Sequence, residues 1–154
     1  MAQPKILLPY NFTRQDRKAL DFAIQTFAHQ KAAEVTLFNV YTPVPEMNAA
    51  SNPVLEKMAA NLRYLSQVIR ERNEVLEKEM IRLVDGGFLD GQVRVLYRPR
   101  KKEIATEIVD AAWETKCNLV VLNRRPGKVG RFFTGSIFSK VVAALSGVTV
   151  CVVS

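Results

Sequence analysis

The spacing of apolar and polar positions changes period several times along the chain. Lys5–Tyr10 (KILLPY) is a short apolar run closed by Pro9 and Asn11, the pattern of a buried strand. From Thr13 the period becomes helical, with Leu20, Ala23, Ile24, Phe27 and Ala28 on one face. Thr13 is placed to cap the first turn, and Asp16 suits the positive end of the helix dipole. Glu34–Tyr41 (EVTLFNVY) reads as a second strand, ended by Pro43 and Pro45. Asn52-Pro53 then opens a helix that runs to Asp85 and stops at Gly86-Gly87. Its stripe is Leu55, Met58, Leu62, Leu65, Ile69, Leu76, Met80 and Leu83, interrupted by Arg72. This helix is expected to pack on the sheet. The alternative, a coiled coil, is disfavoured because only about four heptads are present and Arg72 spoils one.

Gln92–Tyr97 (QVRVLY) predicts a third strand, and Glu103–Thr115 a helix with Ile104, Ile108, Ala111 and Ala112 inward. Leu119–Leu122 (LVVL) is wholly apolar, as suits a strand covered on both faces. A last helix runs from near Ser136 to Gly147, with Ile137, Val141, Ala144 and Leu145 inward, and Val148–Val153 (VTVCVV) closes the pattern. Strands alternating with helices imply an α/β fold, a parallel sheet with helices on both faces and Ile6–Leu8 beside Leu119–Leu122 at its centre. There is no repeat, low-complexity tract or long linker, so residues 1–154 are read as a single domain. In such folds ligands sit beyond the carboxyl ends of the strands, where the winding direction reverses. That points to two loops, Pro9 to Thr13 and Asn123 to Ser136.

Composition narrows the function. The chain has 154 residues, 48% hydrophobic and 24% charged, enough for one ordinary globular core. Ile6-Leu7-Leu8 falls far short of the roughly 20 apolar residues needed to cross a bilayer, so a membrane role is not expected. Cys117 and Cys151 make neither a disulfide framework nor a metal set, and both read as reduced residues of a cytoplasmic protein. The net charge of +7 is concentrated: residues 98–140 hold ten Lys/Arg against four acids. An anionic partner is favoured: a phosphate ligand, an acidic protein surface or nucleic acid. The second loop, Asn123-Arg124-Arg125-Pro126-Gly127-Lys128-Val129-Gly130-Arg131-Phe132-Phe133-Thr134-Gly135-Ser136, carries cations and glycines without an acid and leads into a helix. Glycines let backbone N–H groups approach an anion, and the helix dipole adds positive potential. A plain surface turn with solvated arginines is the competing reading.

Taken together, the opening ILLPYNFT, the VTLFNVY strand, the loop ending in Thr134-Gly135-Ser136 and the closing VTVCVV resemble the universal stress protein family. The resemblance spans essentially the whole chain. It implies a five-stranded parallel sheet in order 3-2-1-4-5, a Rossmann-like fold, and a homodimer paired through the last strand at Val148, Val150 and Val152. Its nucleotide-binding branch implies ATP or AMP, with or without magnesium, as cofactor. The matching contacts here are Pro9, Tyr10, Asn11, Val40, Leu122, Asn123, Arg124, Arg125, Gly127, Gly130, Gly135, Ser136 and Ile137. The chain departs from that branch twice. Asn11 stands where the branch has an aspartate, and four residues rather than nine separate Gly130 from Gly135.

Other candidates are weaker. The only histidine, His29, falls at the end of the first helix with no metal set around it, and no Ser-His-acid arrangement can be assembled on it. The phosphate-binding pattern G-x-x-x-x-G-K-[ST] is missing, which argues against vigorous nucleotide hydrolysis and leaves at most a weak ATPase. Arg98-Pro99-Arg100-Lys101-Lys102 reads as a solvated run that can extend an anion surface. Nucleic acid is disfavoured because exposed aromatics between the cations are lacking apart from Phe132 and Phe133. The sequence thus supports a nucleotide-binding regulatory dimer acting in stress response, not an enzyme. The alternative is a dimeric interaction module of the same fold that binds no nucleotide and offers its basic face to an acidic protein.

Overall fold

A computed structural model describes residues 3–45, 53–124 and 137–154. The elements run β1 (Lys5–Pro9), α1 (Arg14–Phe27), β2 (Glu34–Tyr41), α2 (Pro53–Asp85), β3 (Val93–Pro99), α3 (Ile104–Glu114), β4 (Leu119–Asn123), α4 (Ile137–Ala144) and β5 (Thr149–Val153). A short 3-10 turn, Asp90–Gln92, leads into β3. The strands form one parallel sheet in the order β3-β2-β1-β4-β5. The winding direction reverses between β1 and β4, where Ile6 pairs with Leu119 and Leu7 with Val120.

Two apolar layers hold the sheet. Ile6, Leu8, Val35, Leu37 and Val121 face α1 and the C-terminal part of α2, meeting Ala19, Leu20, Ala23, Leu76 and Leu83. Leu7, Phe38, Val120 and Leu122 face α3 and α4, meeting Ile108, Ala111, Ala112 and Val141. The central strands β1 and β4 are buried on both faces, which explains their unbroken apolar sequence.

Three expectations are corrected. In α2 only Leu76, Glu79 and Leu83 are buried; the first half of the stripe is not, and Met58 and Leu65 remain nearly half exposed. A helix of 33 residues is about 50 Å long, roughly twice the length of β2 or β3, so its first half runs past the sheet. In α4, Ile137 and Ala144 face outward while Val141 and Leu145 pack inward; the helix ends at Ala144, three residues before Gly147. Gln92 belongs to the 3-10 turn rather than to β3, because its side chain accepts from the Leu89 amide and donates to the Lys31 carbonyl.

Two of the four cations of the basic run are committed to ion pairs. Arg98 bonds Glu114 at 2.5 and 3.1 Å, and Lys102 bonds Asp110 at 2.9 Å. Arg98 and Pro99 are part of β3 rather than of the loop beyond it. His29 is exposed, Cys117 is buried and Cys151 half-buried, both thiols free. Among the described residues no helix is long and apolar enough to cross a membrane, and no group of His, Cys, Asp or Glu is arranged to hold a metal.

Candidate functional site

The carboxyl edge of the sheet at the β1/β4 reversal is built around one buried carboxylate. Thr13 has an extended backbone and caps α1, its hydroxyl accepting from the Asp16 amide at 3.3 Å. Asp16 returns the contact: Oδ2 accepts from the Thr13 amide at 2.9 Å and the Thr13 hydroxyl at 2.7 Å, a capping box. The same oxygen accepts from the Asn11 amide at 3.0 Å. Its other oxygen, Oδ1, accepts from Nδ2 of Asn123 at the end of β4. Asp16, fully buried, thus clasps the β1–α1 loop to the end of β4 across the reversal point.

A second amide fixes Asn11. Asn39 of β2 lies at the inward parity of Val35 and Leu37, and its Nδ2 donates to the Tyr10 carbonyl at 2.7 Å and to Oδ1 of Asn11 at 3.2 Å. Oδ1 of Asn11 accepts this one bond, and the side chain still carries the two N–H donors of its Nδ2. Oδ1 of Asn39 is buried without a hydrogen-bond partner among the described residues. Such an acceptor is commonly completed by a water or a bound molecule.

The sequence-derived candidates divide into three groups. Asn11 and Asn123 are brought together through Asp16, and the Arg124 amide donates to the Val153 carbonyl at 2.8 Å. Pro9 ends β1, Val40 packs with the α3 layer, and Leu122 is core. Two further candidates differ in what they present to the edge. The Tyr10 side chain is buried toward α1 and α2, edge-on to Phe12, so only its backbone reaches the edge. Ile137 projects outward at the start of α4. Arg125, Gly127, Gly130, Gly135 and Ser136 lie outside the described residues. Neither Asp16 nor Asn39 was among the candidates, although the parity of Asn39 with Val35 and Leu37 was a readable signal.

Behind the loop, the Tyr10 hydroxyl meets the Arg17 guanidinium, and burial together with the Glu79 carboxylate raises its ionisation above the ordinary phenol value of 10.0. Glu79 is itself buried in the α2 stripe, with Arg17 at 3.6 Å and Arg82 at 4.0 Å. A separate groove of about 860 Å3 runs beside the first half of α2, and none of the candidate residues lines it.

The sequence profile of the Universal stress protein family matches residues 4–154. The chain belongs to the universal stress protein family. Solved structures agree on the fold. The hypothetical protein MJ0577 superposes with a TM-score of 0.70 at 22% identity, over 97% of this chain and 94% of that one. A universal stress protein from Archaeoglobus fulgidus, solved in complex with dAMP, gives 0.63 at 18% identity over 99% and 98%. A universal stress protein solved in complex with cAMP gives 0.60 at 19% identity over 99% and 98%. No curated protein matches the sequence significantly. The strand order β3-β2-β1-β4-β5 is the one that resemblance to universal stress proteins implied.

Proposed function

We propose that this universal stress protein is a regulatory binding module that takes up an adenine nucleotide at the carboxyl edge of its sheet. The observation that carries the reading is the network at the reversal of strand order, in which buried Asp16 and Asn39 hold the exposed Asn11 and the half-buried Asn123. A ligand edge at this place needs a rigid polar frame, and four side chains from β1–α1, β2 and β4 are spent on making one. The base would lie beside Asn11 and Val40. The Asn11 amide would donate to a ring nitrogen or a ribose oxygen, where a carboxylate could only accept. The phosphates would meet Asn123 and Arg124 and continue over Arg125, Gly127, Gly130, Gly135 and Ser136. The solved relatives holding dAMP and cAMP support adenine nucleotides as the ligand class. In this reading the role is carried by binding of the nucleotide rather than by its turnover.

The test is calorimetric titration of ATP and AMP into wild type and Asn11→Leu. Loss of a hydrogen bond in the site corresponds to an affinity drop of about tenfold. Equal affinity in both proteins would remove Asn11 from the site.

The second reading, a dimeric module without nucleotide, shares with the first a dimer edge at β5. This strand is at the sheet edge, and Val152 on it is 40% exposed while Val150 packs into the α3 layer. An apolar edge strand with free backbone groups recruits another strand. A homodimer through Val148, Val150 and Val152 serves either reading. An acidic protein would be the partner of the nucleotide-free form, and the cytoplasm its place of action.

A further inference from the structure

Two local irregularities of the chain converge on one place. Arg72 interrupts the apolar stripe of α2, and in the structure its guanidinium lies 5.4 Å from the centre of the Phe12 ring. Phe12 holds a left-handed backbone, φ 63°, a region uncommon for a residue with a Cβ. Both border a surface cleft of about 500 Å3 between the start of α1 and the middle of α2. Tyr10, Phe12, Arg14, Arg17, Glu71 and Arg72 line it. Three arginines therefore face one carboxylate, and Glu71 already accepts from Gln67 at 2.9 Å. Among the described residues Arg14 and Arg72 form no ion pair, while Arg17 leans on Glu79 at 3.6 Å and on the Tyr10 hydroxyl. The Tyr10 and Phe12 rings meet edge to face, centroids 5.3 Å apart at 88°.

We infer that this cleft is a binding site for a small aromatic carboxylate. Guanidinium groups present paired N–H donors matched to a carboxylate, and Arg72 is held in place beforehand by its ring contact. The flank of Phe12 offers an apolar surface for a flat ring, and the volume suits a ligand of one or two rings. An arginine in the middle of an apolar stripe is thereby explained by what it faces rather than by the packing of α2. The site lies on the α1/α2 side of the β1–α1 loop, meets the Asn11–Asn123 network through Thr13, and can be tested without nucleotide.

The experiment titrates 1-naphthoate into the full chain by calorimetry, with the uncharged 1-naphthylmethanol and inorganic phosphate as controls. Arg72→Leu restores the stripe and retains the fold by circular dichroism; Arg14→Gln is an exposed change that leaves the core untouched. Naphthoate should bind, each variant should weaken it about tenfold, and both controls should bind at least about tenfold more weakly, the usual effect of one lost charged hydrogen bond. No naphthoate binding up to its solubility limit, or equal binding in wild type and both variants, overturns the inference. Phosphate binding as tightly as naphthoate contradicts its aromatic part.

Discussion

Replacing Asp16 by alanine removes the acceptor on which four donors converge: the Asn11 and Thr13 amides, the Thr13 hydroxyl and the Asn123 side-chain amide. Losing the capping interaction alone costs about 1 kcal/mol. The two backbone N–H groups sit in partly buried positions, and stranding each costs about 0.5–1.5 kcal/mol once water has partly replaced the carboxylate. The Asn123 amide adds a comparable amount, so the whole change comes to about 3–5 kcal/mol, with the individual losses not strictly additive. Asp16→Asn retains one acceptor but turns an N–H2 toward donors on one side or the other, and is expected to cost about half as much. Urea unfolding followed by circular dichroism measures both. Thr13→Ala supplies the reference, since it removes the hydroxyl's cap and its bond to Asp16 but leaves the link to β4, and is expected to cost about 1 kcal/mol. If Asp16→Ala costs no more than Thr13→Ala, the carboxylate is only a helix cap and the link to β4 carries no energy. Because that link frames the edge, Asp16→Ala is also expected to weaken any nucleotide bound there.

Further outcomes follow from packing and titration. Leu83→Ala, in the buried part of α2, should lower unfolding free energy by about 2–5 kcal/mol, while Leu65→Ala on the uncovered first half should change it by less than about 0.5 kcal/mol; urea midpoints that move equally would mean that the first half is covered in solution. Burial raises the phenols of Tyr10 and Tyr97 above 10.0, so the unfolded chain releases these protons first and stability falls as pH rises past about 10. Tyr97→Phe, which gives up the 2.9 Å bond to the Ile69 carbonyl, should lose less stability between pH 8 and pH 11 than wild type, and an equal loss would contradict the assignment. Val152→Glu should convert a dimer to monomer in light scattering, and a wild type that is already monomeric removes β5 as an interface.

The apolar runs carried the fold. KILLP, EVTLFNVY and LVVLN are short, and the latter two are rich in β-branched residues, while the helical segments place apolar residues every three or four positions. Periodicity tells which residues share a face, but not whether anything lies opposite. That is why Met58, Leu65, Ile137 and Ala144 were expected inside and are outside. Polar residues within apolar faces are the complementary failure. Asn39 and Glu79 sit at inward positions, and only the neighbouring chain segments reveal the carbonyl or guanidinium that each meets. Asp16 was legible as a helix-start acid because that role is local, three residues from Thr13. Its bond to Asn123, 107 residues away in sequence, follows only from the placement of β4 beside β1.

Native mass spectrometry of freshly purified wild-type protein, before and after addition of ATP, tests the central claim most directly. A site framed by Asn11, Asp16, Asn39 and Asn123 should retain an adenine nucleotide or acquire one mass increment of ATP per chain, and Asn11→Leu should lose that increment. A bare mass that ATP leaves unchanged, at concentrations up to the millimolar range, would contradict the nucleotide account.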